Sequence, residues 1–319
     1  MRVAVTGASG FVGQAVATGL LLHQHDVHAV LRSQDKTAPV LARATQTFSI
    51  GDINVDTDWT DTLSGVHCVV HCAARAHVMR ETVGDALAAY RAVNVAGTRQ
   101  LAEQAAKMGV RRLVYLSSIK VNGEQTVAGD CFTSLDKPFT EDPYSISKLE
   151  AERALHRISA KTGLEVVILR APLIYGAGVK GNFLSLLAWL SRGAPLPLGA
   201  IQNQRSMVGI DNLVDLIITC INHPDAANQT FLVSDDEDLS TTELLRRLGA
   251  ALGKPARLIP VPASLLELAA RLVGKEDIAV RLLGNLQVNI SKTKKMLDWA
   301  PRVSVNDGFR KTAKWYLGH

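Results

Sequence analysis

The fold is decided by the first thirteen residues, Met1-Arg2-Val3-Ala4-Val5-Thr6-Gly7-Ala8-Ser9-Gly10-Phe11-Val12-Gly13. The run Val3-Ala4-Val5 has no polar alternation, as expected of a strand buried on both faces. Three glycines at a spacing of three then open an apolar stretch with helical periodicity. Gly7 permits a tight turn, Gly10 lets the main chain approach a diphosphate, and Gly13 lets helix and strand pack closely. The free N–H groups and dipole of the helix start favour the same anion. Three glycines alone are a weak signal; at the first strand–helix turn they predict a dinucleotide site.

Further along, apolar runs at 27–31, 47–50, 66–71, 112–117 and 165–170 read as strands. Amphipathic stretches at 11–23, 86–108 and 145–162 read as helices, the last stopped by Gly163. This alternation predicts an α/β fold, a Rossmann-type doubly wound parallel sheet. After Pro172 glycine and proline become frequent. Helical patterns then dominate at 182–192, 211–222, 240–252, 262–273, 291–297 and 305–317, with a late strand at 230–233. The expected organisation is a nucleotide-binding domain over residues 1–171, with 206–235 returning to it. A smaller, mostly helical substrate domain follows over 172–319.

Composition narrows the class. The 319 residues are 47% hydrophobic and 20% charged, which is ordinary for a globular chain. No apolar run approaches the roughly 20 residues of a membrane span, and strand one leaves no room for a leader. Cys68, Cys72, Cys131 and Cys220 form no CxxC pair, so neither a disulfide framework nor a metal site is expected, and a reducing cytoplasm is. The net charge of +5 argues poorly for nucleic-acid binding. Its excess sits in 271–319, with ten Lys/Arg against four Asp/Glu, and reads as a solvated face.

An acidic residue that takes the ribose 2′-hydroxyl usually follows the glycine loop by about 20 residues. Here the second strand ends in Arg32-Ser33 instead. A guanidinium there suits a 2′-phosphate, with Ser33 in support, and so favours NADP(H) over NAD; the alternative is a solvated loop arginine. Asp52, followed by Ile53, is placed either to accept from the adenine amino group or to cap a turn.

Tyr144 and Lys148 stand four residues apart, on one helix face. A free phenol, with a pKa of about 10, is a poor acid–base group. A neighbouring ammonium and a cationic nicotinamide would lower it toward the working range. Tyr115-Leu116-Ser117-Ser118 ends a strand at the sheet edge where such folds bind ligands, so a hydroxyl there can donate to a carbonyl oxygen.

These features in this order resemble the extended short-chain dehydrogenase/reductase family, in particular its nucleotide-sugar epimerases and reductases. The resemblance spans essentially the whole chain. It also rests on His71-Cys72-Ala73-Ala74, on Asn94 in Val93-Asn94-Val95, on Leu169-Arg170-Ala171-Pro172 and on Arg205-Ser206-Met207-Val208. It implies Tyr144 as acid/base, Lys148 as its modulator and ribose ligand, and Ser118 as carbonyl donor. Asn94 would position the active-site helix or a water relay. Phe11, Val12, Ile53, Ala73, Ala74 and Pro172 would line the cofactor. Asn182 and Arg205 would meet a UDP-sugar diphosphate, unless the first is a helix cap and the second a surface ion pair. Arg75 and His77 would lie near the sugar, or simply in a loop. Dimerisation through helices 86–108 and 145–162 is common in the family.

Two departures narrow the reaction. Family members that eliminate water carry an Asp-Glu pair after the active-site hydroxyl, where this chain has Ile119 and Lys120. Asn122 replaces the tyrosine usual in the epimerases. The first speaks against elimination and the second leaves the sugar contacts there open, while Arg32 favours an NADPH-dependent reductase of a UDP-linked 4-keto-6-deoxy-N-acetylhexosamine. A UDP-glucose or UDP-N-acetylglucosamine 4-epimerase holding NAD is the close alternative. A non-catalytic NADP-binding regulator is a reading of another class.

Overall fold

A computed structural model describes residues 1–33, 43–76 and 85–318. In chain order the first part contains β1 (Arg2–Thr6), α1 (Phe11–Leu22), β2 (Asp26–Leu31), β3 (Gln46–Ser49), α2 (Thr60–Leu63), β4 (Cys68–His71), α3 (Ala86–Tyr90), α4 (Thr98–Lys107), β5 (Arg112–Ser118), α5 (Pro143–Thr162) and β6 (Glu165–Ala171). Then come β7 (Leu173–Tyr175), α6 (Gly181–Ser191), β8 (Met207–Gly209), α7 (Ile210–Asn222), β9 (Thr230–Leu232), α8 (Thr241–Ala251), α9 (Ala263–Leu272), α10 (Glu276–Leu283), α11 (Ser291–Leu297) and α12 (Val305–Leu317).

Seven strands form one parallel sheet in the order β3-β2-β1-β4-β5-β6-β9. The doubly wound α/β architecture expected from the sequence is therefore present. The order reverses between β1 and β4, the crevice where such sheets bind ligands beyond their carboxyl ends. Val5, Val70 and Val114 face α1 and α7, whereas Ala4, Val69 and Leu113 face α4 and α5. Both faces of each central strand are thus buried, which explains their continuous apolar reading.

The stretch expected as one helix over 86–108 is broken. A π-helical turn, Arg91–Gly97, separates α3 from α4. A Cβ on Gly97 would stand 2.4 Å from the Ile53 side chain, so the turn lies hard against the loop after β3. Asn94 is fully buried within it. A single wider turn of this kind is frequent at functional sites and leaves no mark on hydrophobic periodicity.

Helix α5 starts two residues before the expected Ser145. Asp142 accepts from the main-chain N–H of Tyr144 (2.9 Å) and Ser145 (3.1 Å), and Pro143 fills the first turn. It ends at Gly163 with φ +78, as its sequence indicates. In the C-terminal part, a two-stranded parallel sheet of β7 and β8 and the short helix α10 were not anticipated. A third core gathers Tyr175, Phe183, Leu187, Leu248 and Phe309 there. Several basic residues of the C-terminal excess are paired, among them Lys294 with Asp236 (2.7 Å) and Lys311 with Asp211 (2.5 Å).

Candidate active site

The glycine loop is packed to its limit. Gly7 has φ +67, and a Cβ on it would approach the main chain of Ala73 to 2.9 Å. A Cβ on Gly13 would sit 2.2 Å from the Gly7 carbonyl oxygen, and one on Gly10 at 3.1 Å from it. The cap residue of α1 is Gly10, which offers no side chain to the first N–H groups of the helix. A cradle closed to any side chain, under an uncapped helix start, fits a dinucleotide diphosphate. Phe11 and Val12 pack partly buried against the core beneath it. Ala73, which lines the loop from β4, donates its N–H to Thr6 Oγ1 (3.2 Å), and Ala74 follows it, half-buried.

At the tip of β2, Arg32 does not stand alone. Its guanidinium meets Asp52, Nε to Oδ1 at 2.5 Å and Nη2 to Oδ2 at 3.0 Å. The two side chains are 72% and 67% exposed, so the pair sits at the surface. Ser33 closes the described part of this edge, and Ile53 is partly buried against the second core.

Tyr144, Lys148 and Ser118 converge at the carboxyl ends of β4 and β5. The Lys148 ammonium is buried, donates to the Leu116 carbonyl (2.9 Å), and lies 4.5 Å from the Tyr115 ring and 6.0 Å from the Tyr144 ring. Ser118 hydrogen-bonds the Tyr144 phenol. Burial pushes the phenol up to about 12, Asp142 adds to this, and the Ser118 bond opposes it. Burial likewise draws Lys148 down to about 8, against the pull of Cys72 and Glu152. The sequence led us to expect a phenol lowered by Lys148 and a cationic nicotinamide; among the protein's own groups, burial is the largest influence and acts in the opposite direction.

Asn94 has every polar atom engaged. Its Oδ1 accepts from Arg75 N (2.8 Å), and its Nδ2 donates to the Arg75 carbonyl (3.1 Å) and to Ser147 Oγ (2.9 Å). It therefore staples the loop after β4 to α5, between Tyr144 and Lys148. The same loop brings the Arg75 guanidinium over the Tyr90 ring (5.6 Å), and Tyr90 stands edge-on to Tyr144 with centroids 6.1 Å apart. Pro172 is buried directly after β6, whose Ala171 pairs with Ser118 in register.

The remaining candidates lie on other elements. His77 falls outside the described residues. Asn182 is exposed in the first turn of α6 and is not its cap, a place taken by Lys180. Arg205 is half-buried and donates Nη1 to the Gly284 carbonyl (2.9 Å), with burial disfavouring its charge. Among the described residues it has no carboxylate partner.

A family model described as the NAD dependent epimerase/dehydratase family matches residues 3–234. The chain belongs to this family. A UDP-glucose 4-epimerase of Vibrio cholerae is 48% identical to this chain over 318 residues, covering 99% of the chain and 95% of the relative. The N-acetyl-alpha-D-glucosaminyl-diphospho-ditrans,octacis-undecaprenol 4-epimerase of Escherichia coli O157:H7 is 27% identical over 287 residues, covering 86% and 82% respectively. The crystal structure of a UDP-glucuronic acid 4-epimerase from Bacillus cereus in complex with NAD superposes with a TM-score of 0.81. At 21% identity over 100% of this chain and 99% of that one, this is a likeness of fold.

Sequence reasoning overlooked a buried network behind the epimerase/dehydratase site. Glu152 receives Ser117 Oγ (2.5 Å) and both arms of Arg170, whose Nη1 reaches Asn122 Oδ1 (2.9 Å). Asn122 in turn donates to the Thr133 carbonyl (2.7 Å). The missing tyrosine at 122 is thus replaced by a fully buried network residue. Two signals were available: Glu152 continues the four-residue spacing of Tyr144 and Lys148, and Arg170 interrupts an otherwise apolar strand.

Proposed function

We propose that this chain is a 4-epimerase of a UDP-hexose or UDP-N-acetylhexosamine that retains NAD through the cycle. The observation carrying the reading is the Arg32–Asp52 pair. The reductase reading drew its strength from a free guanidinium awaiting a 2′-phosphate, and here that charge is already matched. The 48% identical Vibrio cholerae relative, named a UDP-glucose 4-epimerase, supports the same choice.

Gly7, Gly10, Gly13, Phe11 and Val12 would hold the diphosphate of the cofactor, Arg32, Ser33, Asp52 and Ile53 its adenosine end, and Ala73, Ala74 and Pro172 its inner half. When bound, the nicotinamide supplies a hydride acceptor that is also the donor for the return. Tyr144 would take the proton of the sugar 4-hydroxyl and return it to the same oxygen once the 4-keto sugar has turned its other face toward the hydride, with Ser118 hydrogen-bonded to that oxygen. Lys148 holds the ribose and favours phenolate. Arg205 and Asn182 bind the UDP diphosphate, and Arg75 borders the sugar. The engaged Ser118, Tyr144 and Lys148 speak against a non-catalytic regulator.

The test is to incubate purified protein with UDP-glucose and UDP-N-acetylglucosamine, follow C4 inversion by NMR, and identify the nucleotide released by acid. Inversion without added cofactor, with NAD released, is expected. Tyr144→Phe should lose at least about 100-fold in turnover while keeping its NAD. Stoichiometric NADPH consumption on a UDP-4-keto-6-deoxy sugar, without inversion of either UDP-hexose, would overturn the reading.

A further inference from the structure

Lys120 occupies a 3₁₀ turn, Ile119–Val121, immediately after Ser118. Its main-chain N–H donates to Ser118 Oγ (3.3 Å). Its ammonium, on a side chain 27% exposed, reaches Glu124 Oε1 (2.5 Å) and Asp142 Oδ2 (3.2 Å). The other oxygen of Asp142 caps α5 at Tyr144 and Ser145. One residue therefore touches both the hydroxyl that hydrogen-bonds the phenol and the carboxylate that anchors the helix carrying that phenol. The Ser118–Tyr144–Lys148 chemistry does not by itself call for this lysine.

Asp142 accepts from the Tyr144 main-chain N–H, and its negative charge disfavours the Tyr144 phenolate. The other groups around the phenol are Ser118 and Tyr115 from β5, Lys148 from α5, and Tyr90 from α3 with Arg75 over its ring. Lys120 and Glu124 stand behind Asp142. We infer that Lys120 is a positioning residue of the active site, which ties Ser118 to the start of α5 and offsets the Asp142 carboxylate beside the Tyr144 phenol. The inference rests on the proposed epimerase reading only for its turnover measurement.

Removing the ammonium leaves Asp142 uncompensated, so phenolate becomes harder to form and the ionisation of Tyr144 moves to higher pH. Lys120→Met should shift the acid limb of kcat/KM upward by about one pH unit. Near neutrality kcat should fall about tenfold, with KM changed less than twofold. Lys120→Arg should restore the wild-type profile. Asp142→Asn, which keeps a good helix cap, should bring the limb of Lys120→Met back down.

The second readout needs no substrate. The protein has five tyrosines, so the ¹³Cζ resonance of Tyr144 can be assigned with Tyr144→Phe. Its alkaline onset should move up in Lys120→Met and down in Asp142→Asn. An unchanged onset in both variants, or a uniform loss of rate that Asp142→Asn does not reverse, would overturn the inference. If Lys120→Met fails to fold, Lys120→Gln takes its place, and an onset that it leaves unmoved overturns the inference. Absence of turnover on every UDP-sugar, with the onsets shifted as expected, would sink the epimerase reading and leave this one standing.

Discussion

Glu152 and Arg170 form a two-armed ion pair inside the protein, Nε to Oε1 at 3.0 Å and Nη2 to Oε2 at 2.6 Å, with side chains 3% and 7% exposed. Strand register makes the contact. Arg170 pairs with Ser117 across β5 and β6, and Ser117 gives its hydroxyl to the same carboxylate that Arg170 grips. Lys148 donates to the preceding residue, Leu116, so two consecutive residues of β5 dock the helix that carries Tyr144 and Lys148.

Breaking this pair from one side should therefore be severe. Glu152→Gln leaves a guanidinium uncompensated in the interior and should cost about 3–5 kcal/mol in denaturant unfolding. The double variant Glu152→Gln, Arg170→Met should recover part of that loss, because no buried charge is then orphaned. A double variant no more stable than Glu152→Gln would refute this account.

The Arg32–Asp52 pair offers a second prediction, on cofactor choice. Both side chains are exposed, so the pair is worth about 1 kcal/mol or less. Asp52→Asn should release the guanidinium and improve NADPH binding relative to NADH by up to about fivefold in fluorescence titrations. Arg32→Ala should remove any such gain. An unaltered NADPH/NADH ratio in Asp52→Asn would show that Arg32 does not face the 2′ position.

His71 sets the third, a dependence of stability on pH. Its ring is buried between Thr6 Oγ1 (2.6 Å to Nδ1) and Thr98 Oγ1 (2.9 Å to Nε2), and burial, with Lys148 nearby, draws it down to about 3. An unfolded histidine binds its proton near pH 6.5, so between about 6.5 and 3 the unfolded state carries the extra proton. Stability contributed by this group is thus fully present above pH 6.5 and falls as the pH drops toward 3. Urea midpoints measured from pH 7 to pH 4 should decline, and His71→Asn should flatten that slope. A slope unchanged by the substitution would assign acid sensitivity to other groups.

Much of the fold was legible because its signals are local. Val3-Ala4-Val5 followed by three spaced glycines specifies strand, turn and helix through contacts a few residues long. Tyr144 and Lys148 meet on one helix face because four residues make about one turn. The break between α3 and α4 was hidden, since Asn94 turns inward through one wide turn, at which Gly97 packs closely against Ile53.

By itself, then, the sequence determined the doubly wound sheet and its glycine turn and put Tyr144 and Lys148 on one helix face, all of which depend on short-range periodicity and spacing, while the choice of Ser118 came from the family resemblance. Only the tertiary structure decided what the charges do. Arg32 is 20 residues from Asp52, Glu152 is 18 from Arg170, and Lys120 is 22 from Asp142. Electrostatic partners are set by distance in space and by burial, and neither quantity is written along the chain.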